Sequence, residues 1–176
     1  MSKKISLKKT CSIYASELHL ATMIFPYIKK ELERKAIVKA MLENDIGTNI
    51  EKVLCHTNIN SELKEQIQQI DWKQTNKKKI EQMLKEIEEN LRHNEKVDII
   101  VSGSNFFIDK INELIDLWTK VNFEEIANSE KTINIINCYY FKQNEQIDEI
   151  MKKHEYILRT TGIQELIEEN PLKKAN

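Results

Sequence analysis

Polar and aromatic residues follow the segments that read as buried strands, and they are the residues best placed to bind a ligand. In open α/β sheets, ligands bind beyond the carboxyl ends of the strands. Backbone N–H groups at a turn before a helix can hold an anion, and aromatic rings can wall a cavity. The candidate ligand-binding residues are Tyr14, Glu17, Ser102, Gly103, Ser104, Asn105, Tyr140 and His154.

The turn at residues 102–105 has two interpretations. Its N–H groups could hold an anion, but the chain contains neither the pattern G-x-x-x-x-G-K-[ST] nor G-x-G-x-x-G. A Ser or Asn helix cap after a glycine turn needs no ligand, and this interpretation is favoured.

Further along, Tyr139 and Tyr140 should face opposite sides of the sheet, so at most one of them lines a given cavity. Packing under a helix is the alternative for both.

Nucleophilic and metal-binding residues are scattered. The four histidines, His19, His56, His93 and His154, form no HxxxH or HExxH pair, and the three cysteines show no CxxC spacing. These patterns predict no metal site, no disulfide framework and no cofactor. His154 lies on an apolar face, which favours a hydrogen-bonded core histidine over a ligand contact. A hydrolase or transferase that pairs Cys138 with His154 remains the alternative to a non-enzyme, although no oxyanion element is evident.

Composition disfavours several classes of function. The chain has 27 basic and 28 acidic residues and a net charge of −1, which argues against direct binding of nucleic acid. No apolar run approaches the length of a membrane span. The cysteine pattern and the lack of a secretory h-region favour the cytoplasm. We expect one domain at residues 10–170, a flexible basic arm at residues 1–9 and a disordered tail at residues 171–176.

Hydrophobic periodicity predicts strands that alternate with helices. The expected strands lie at residues 12–15, 36–42, 97–101 and 132–141, with a short edge strand at 70–72. The expected helices lie at residues 17–34, 49–56, 61–70, 77–93, 106–121 and 145–158. Ser16 should cap the first helix, Pro26 should kink it or end a first segment, and the helix at 106–121 should be the most buried. The pattern predicts a three-layer α/β fold whose mostly parallel sheet carries helices on both faces.

The chain resembles the MEDS family, the sensory domains of the dichloromethane-metabolism repressor and of methanogen and methylotroph signalling proteins. Cys138 and Tyr140 match the family's Cys-x-Tyr strand end, and His154 matches the His-containing segment that closes the next helix before a final apolar strand. Glu155 stands where the family has a proline. The segment that opens with Tyr14 resembles the family's first Tyr and acidic-Leu helix, and the strands at 35–42 and 97–103 also fit.

The resemblance implies a Rossmann-like domain related to RecA- or KaiC-type ATPases that has lost the P-loop. It also implies that the protein senses a small molecule and passes the signal to a partner such as a transcription regulator or a kinase. The chain shows no helix-turn-helix or kinase segment, so we expect the output to come from a partner or an oligomer.

Two functional hypotheses follow. The leading one is a stand-alone sensory or regulatory module whose pocket is walled by Tyr14, the turn at 102–105 and Tyr140. The alternative is an interaction or scaffold protein that binds no ligand. In that case the helix at 77–93 or the one at 106–121 forms an interface with a partner or with a second copy, as in a homodimer.

Overall fold

The computed structural model describes residues 3–93, 96–141 and 147–166. Its strands are β1 (Lys4–Tyr14), β2 (Ile37–Leu42), β3 (Lys96–Gly103), β4 (Glu124–Glu125), β5 (Thr132–Tyr140), β6 (Tyr156–Arg159) and β7 (Gly162–Glu165). Its helices are α1 (Glu17–Glu33), α2 (Gly47–Cys55), α3 (Ser61–Gln69), α4 (Lys77–His93), α5 (Asn105–Asn122) and α6 (Ile147–Lys152).

The strands form a seven-stranded sheet in the order β2-β3-β5-β1-β6-β7, and β4 pairs with β1 beside this path. Within the described chain the pairings are parallel except for the β6–β7 hairpin. β3 and β5 are buried along nearly their whole length, because a parallel sheet is covered by helices on both faces. The predicted three-layer, mostly parallel α/β fold is therefore confirmed.

The face that each helix covers follows from the direction in which the chain crosses the sheet. The connection from β1 leads outward to β2, and the later connections lead back through β3 and β5 to β6. Right-handed crossovers in opposite directions place their helices on opposite faces. Accordingly α1 packs on one face, in a core with Ile100 and Ile136, and α2 and α3 pack against it in the same core. The other face carries α4, α5 and α6 in a core with Ile99 and Ile135.

The basic N-terminal segment belongs to the sheet, so the prediction of a flexible arm is wrong from Lys4 onward. β1 begins at Lys4 and pairs with β5 from Ser6 to Tyr14. Ile5 is fully buried, and the amine of Lys9 lies 2.8 Å from a carboxylate oxygen of Asp116. A lysine can lie in a strand while its amine reaches a surface partner, and this is why a lysine-rich segment can form a central strand. The predicted tail at 171–176 lies outside the described residues.

The first helix is continuous, so the expected end of a segment at Pro26 is not observed. Ser16 caps the helix as predicted: its Oγ accepts a hydrogen bond from the His19 N–H at 3.1 Å. Pro26 is exposed, whereas its neighbours Phe25 and Tyr27 are buried against the sheet. Packing of the buried face therefore holds one helix from Glu17 to Glu33 despite the missing N–H.

Two predicted elements near loops are wrong. The helix expected at residues 145–158 is only α6, and residues 156–159 form β6, because the free side of β1 offers them a partner at Thr10 and Cys11. Residues 70–72 form no strand. Instead Trp72 packs as a buried loop residue whose indole N–H donates to the Ile67 carbonyl at 2.8 Å.

The helix predicted to be the most buried, α5, has a large exposed apolar face. Ile108, Ile111 and Ile115 are buried, but Phe106 and Leu117 are among the most exposed apolar side chains. α1 buries more of its surface because it lies between the sheet and two further helices. Within the described residues no helix is both long and apolar enough to span a membrane.

A buried polar cluster joins α1 to the sheet. The Oδ1 atom of Asp98, a fully buried residue of β3, accepts hydrogen bonds from Tyr27 Oη at 2.7 Å and from Asn134 Nδ2 at 2.9 Å. Lys96 Nζ lies 2.5 Å from Glu31 Oε2 and 4.0 Å from Asp98 Oδ1. The Oδ2 atom of Asp98 has no hydrogen-bond partner in the described chain. Burial raises the pKa of Asp98, although Lys96 and the two hydrogen bonds oppose this effect.

The substitution Asp98→Asn should flatten the pH dependence of the free energy of unfolding. An acid whose pKa is raised on folding stabilises the native state most when protonated. Its contribution is present below the ordinary pKa of 3.8 and is lost as the pH rises through the raised value. Urea unfolding followed by circular dichroism from about pH 4 to about pH 8 measures the slope. Asp116→Asn is the control at a partly buried ion pair near the surface. An equal change in slope for both variants would show that Asp98 is not the source of the pH dependence.

Candidate functional site

The carboxyl ends of three neighbouring strands bring most of the predicted site residues to one edge of the sheet. Tyr14 at the end of β1 pairs with Tyr140 at the end of β5, and Gly103 at the end of β3 pairs with Tyr139 on the other side of β5. From this edge α1 leaves towards one face and α5 towards the other. The point where successive helices leave towards opposite faces of the sheet is the position where ligands bind in open α/β sheets.

Two tyrosines and a serine form the centre of this edge. Ser102 Oγ donates a hydrogen bond to Tyr14 Oη at 3.2 Å, and both side chains are buried. The rings of Tyr14 and Tyr140 lie 5.5 Å apart at 37°. Burial raises the pKa of Tyr14, so its phenol stays neutral and can act only through its hydroxyl and its ring. Tyr139 packs in the opposite core, as strand alternation predicted.

The turn before α5 is occupied by a side chain of the protein itself. Glu43, which follows β2, accepts a short hydrogen bond from the Ser104 N–H with Oε2 and a second from Ser104 Oγ with Oε1, at 3.2 Å. Ser104 Oγ also accepts from the Phe107 N–H at 3.2 Å and is the helix cap. The carboxylate thus fills the place that the sequence suggested for an anion.

Gly103 is required by this arrangement. A Cβ atom at position 103 would lie 2.6 Å from Glu43 Oε2 and 2.7 Å from Phe107 Cδ1, closer than real Cβ atoms approach their neighbours. Asn105 begins α5 directly after the cap and is exposed. The glycine therefore serves the close packing of Glu43 against the turn.

Glu17 and His154 lie away from the centre of the edge, in different directions. Glu17 is exposed in the first turn of α1, where its carboxylate accepts a hydrogen bond from Asn49 Nδ2 at 3.4 Å. His154 is buried on the other face of the sheet, where its ring lies 5.8 Å from the ring of Tyr139. The structure thus joins Tyr14, Ser102 and Tyr140 but does not bring His154 to them.

His154 has its hydrogen bonds satisfied within the core. Its Nδ1 atom lies 2.7 Å from the Ile150 carbonyl and its Nε2 atom lies 3.3 Å from Asn137 Nδ2. The carbonyl requires a donor and the amide requires an acceptor, so the neutral ring carries its proton on Nδ1. Burial lowers the pKa of His154, which agrees with this neutral form. The interpretation as a hydrogen-bonded core histidine is thus confirmed.

Cys138 and His154 do not form the nucleophile–base pair that was considered as an alternative. Cys138 is fully buried in the core beside Tyr14, whereas His154 packs on the opposite face. Burial also raises the pKa of the Cys138 thiol, which disfavours the nucleophilic thiolate. Among residues 3–93, 96–141 and 147–166, no group of three or more metal-binding side chains lies close enough to hold an ion.

Sequence reasoning missed the polar partners that the fold brings together. Asn112 and Asn137 exchange hydrogen bonds at 2.8 and 3.1 Å across the α5–β5 contact, and Asn137 connects this pair to His154. Glu43 was missed as well. The sequence carries one signal for it: Glu43 is an acidic residue directly after the buried strand β2. Because Leu42 of β2 pairs with Ser102 of β3, Glu43 reaches the turn before α5.

Four cavities of the described chain have volumes from about 290 to about 620 Å³. None of these four is lined by Tyr14, Ser102 or Tyr140. The cavity of about 620 Å³ runs along β2 between α3 and α4, at the far edge of the sheet. Comparison of the chain with protein-family models, with curated proteins and with solved structures finds no match.

The substitution Glu43→Ala should lower the free energy of unfolding by about 0.5–2 kcal/mol, the usual cost of losing a side chain that satisfies a helix N-terminus. Glu51→Ala is the matched control, because Glu51 is exposed and its partner among the described residues is the exposed side chain of Gln68. The control should change stability by less than about 0.5 kcal/mol. Urea unfolding of both variants measures the difference, and equal losses would show that Glu43 contributes no more than a surface residue.

Proposed function

We propose that this protein is an interaction module that associates through the outer face of α5, with a second copy of itself as the partner. The observation that carries the proposal is the apolar stripe on this face. Phe106, Leu117 and Val121 are 73%, 64% and 75% exposed, and Leu114 between them is also exposed. Apolar residues that continue along one face of a helix, and are not scattered singly, are typical of protein–protein contact sites.

The spacing of the stripe suits helix-to-helix packing. Leu114, Leu117 and Val121 recur at three- and four-residue steps, so they share one side of the helix. Phe106 extends the stripe by about two turns towards the N-terminus of the helix. Lys110 lies between them, with its amine 5.6 Å from the centre of the Phe106 ring and 3.5 Å from a carboxylate oxygen of Glu113.

A second copy of the chain fits this surface because two α5 helices that pack antiparallel bury the same apolar face on both copies. A two-fold axis near the middle of the helix places Phe106 of each copy opposite Val121 of the other. The same axis places Leu114 close to its own counterpart at the centre of the contact, and it places Leu117 opposite Lys110 of the other copy. The net charge of −1 offers little repulsion between two copies.

The substitution Leu114→Glu should weaken self-association by about tenfold or more, because it puts a carboxylate at the centre of the apolar contact, close to its own counterpart in the other copy. Sedimentation equilibrium at several protein concentrations measures the dissociation constant. Leu18→Glu is the matched control, since Leu18 is an exposed leucine of α1. A wild-type protein that remains monomeric at high concentration would overturn the proposal, as would an equal effect of both variants.

Small-molecule sensing at the strand ends is the second candidate function, and the convergence of Tyr14, Ser102 and Tyr140 at the reversal point of the sheet favours it. The resemblance to the MEDS family supports the same proposal. In this case Tyr140, which is only partly buried, would contact the ligand. The protein would then transmit the signal of ligand binding to a regulator or kinase partner.

Tyr140→Ala should abolish any thermal stabilisation that a small molecule produces, because a ligand that binds only the folded state raises its apparent stability. The probes are a panel of nucleotides and a panel of small hydrocarbons, each tested by thermal shift after native mass spectrometry of the purified protein. Tyr156→Ala in β6 is the control. If no probe stabilises the wild type and no small molecule co-purifies, the sensing proposal fails while self-association stays testable.

A further inference from the structure

A chain of side-chain hydrogen bonds runs from α5 through β5 to α6, and both of its ends are backbone carbonyl groups. Asn112 Nδ2 donates to the Ile108 carbonyl and to Asn137 Oδ1, each at 2.8 Å. Asn137 Nδ2 donates to Asn112 Oδ1 at 3.1 Å and lies 3.3 Å from His154 Nε2. At the other end, His154 Nδ1 lies 2.7 Å from the Ile150 carbonyl. The three side chains, Asn112, Asn137 and His154, are called the polar latch below.

The direction of every hydrogen bond in the polar latch is fixed by the two carbonyl groups. A carbonyl oxygen can only accept, so Asn112 must direct its Nδ2 atom at Ile108 and its oxygen at the Asn137 amide nitrogen. The second N–H of Asn137 then points at His154 Nε2, which must accept. Turning the Asn137 amide over would set oxygen against oxygen and nitrogen against nitrogen at Asn112. Turning both amides over would set the Asn112 oxygen against the Ile108 carbonyl. The polar latch therefore fits only the neutral imidazole.

The surroundings of His154 also disfavour a positive charge. The ring is buried and packs at 5.8 Å from the ring of Tyr139. Three charged groups act on it: Lys9 of β1, Lys153 next to it in the chain, and Asp109 of α5. Burial lowers the pKa of His154 most, the two lysines lower it further, and the backbone hydrogen bond and Asp109 oppose them. Because Asp109 is exposed, water screens its attraction for an imidazolium.

The polar latch holds a C-terminal unit, residues 147–166, that has a small strand contact with the rest of the sheet. β6 pairs with β1 at two residues, Thr10 and Cys11. One side-chain bond adds to this pairing, from Ser12 Oγ to the Leu158 carbonyl at 3.2 Å. β7 pairs with β6 and so belongs to the same unit. Segments with few long-range contacts open at a lower free energy than the whole domain.

We propose that the polar latch is a pH-sensitive switch: protonation of His154 releases residues 147–166 from β1 while the rest of the sheet stays folded. A proton on Nε2 puts an N–H group against the N–H of Asn137, so a hydrogen bond becomes a contact between two donors. Release uncovers one side of β1 and the apolar side chains of Ile150 and Ile157. The polar latch lies where α5 meets the sheet, so the inference goes beyond self-association through the outer face of this helix.

The sign of the pH dependence follows from the lowered pKa. A histidine whose pKa is lowered by folding stabilises the closed form while the ring is neutral. The contribution of His154 is complete above its ordinary pKa of 6.5, and it is lost as the pH falls from there through the lowered value. Within this range the fraction of open protein should rise about tenfold for each unit of pH, because the released ring takes up one proton.

The three cysteines report opening at three separate places. Cys11 is buried beside the C-terminal unit, Cys138 is buried in the core of the opposite face, and Cys55 is exposed. The full chain is pulsed with dithiodipyridine from about pH 7.5 to about pH 5, and mass spectrometry of its peptides measures the labelling of each thiol. Labelling of Cys11 relative to Cys55 should rise as the pH falls below 6.5, by about tenfold per unit, while Cys138 stays unlabelled.

His154→Gln should remove this pH dependence, because glutamine can accept from Asn137 through Oε1 but takes up no proton in the range. His56→Gln is the matched control, since His56 is exposed at the end of α2 and the variant should behave as wild type. The proposal is overturned if wild-type labelling of Cys11 does not change with pH, or if His154→Gln keeps the wild-type dependence. Labelling of Cys138 in step with Cys11 would overturn it too, because the whole domain would then be unfolding.

Amide hydrogen exchange of the wild type decides the question if His154→Gln does not fold. The protection of the N–H groups of β6, corrected for the chemical exchange rate, should fall with pH and level off at the pKa that NMR titration gives for His154. The N–H groups of Ile135 and Ile136 in β5 should stay protected. Equal loss of protection in β5 and β6, or a loss unrelated to the titration of His154, would contradict the switch.

Discussion

The position of β1 in the middle of the sheet is the constraint on which the rest of the structure depends. β1 comes first in the chain, yet it pairs with β5 on one side and β6 on the other, both of which come late. The chain must therefore leave β1, build the sheet outward to β2 and return. This reversal assigns α1 to one face and α5 and α6 to the other. It also leaves β2 as an outer strand and gathers the ends of β1, β3 and β5.

The polar groups at the ends of β1, β3 and β5 are largely hydrogen-bonded to other groups of the protein. Glu43 occupies the N-terminus of α5, Ser102 bonds to Tyr14, and the two tyrosine rings pack together. The hydroxyl groups of Tyr14 and Ser102 and the N–H of Ser104 already have partners, and exchanging partners gains little free energy. The outer face of α5 is different, because its apolar side chains remain exposed. This contrast is why the leading proposal places function at that surface.

Long periodic segments could be predicted from the sequence, and short or central ones could not. The bounds of α4 follow from its apolar stripe, and β2, β3 and β5 follow from their apolar runs. The extent of β1 was missed because its lysines resemble a solvated arm. β6 was missed because four residues fit a helix or a strand equally well until a partner strand is present. At the site, the tyrosine positions were predictable, but their contact with Ser102 and the role of Glu43 were not.

The sequence by itself determined most element types and the capping residues Ser16 and Ser104, because these depend on interactions within a few turns or one strand. It also determined the α/β class and the mostly parallel sheet, because strands that alternate with helices are joined by crossover connections. Only the tertiary structure decided which residues from distant parts of the chain are in contact. It placed Cys138 and His154 on opposite faces, and it put the carboxylate of Glu43 at the turn of Gly103. It also left the outer face of α5 exposed. These outcomes depend on the order of strands in the sheet, which is set by contacts between residues far apart in the chain.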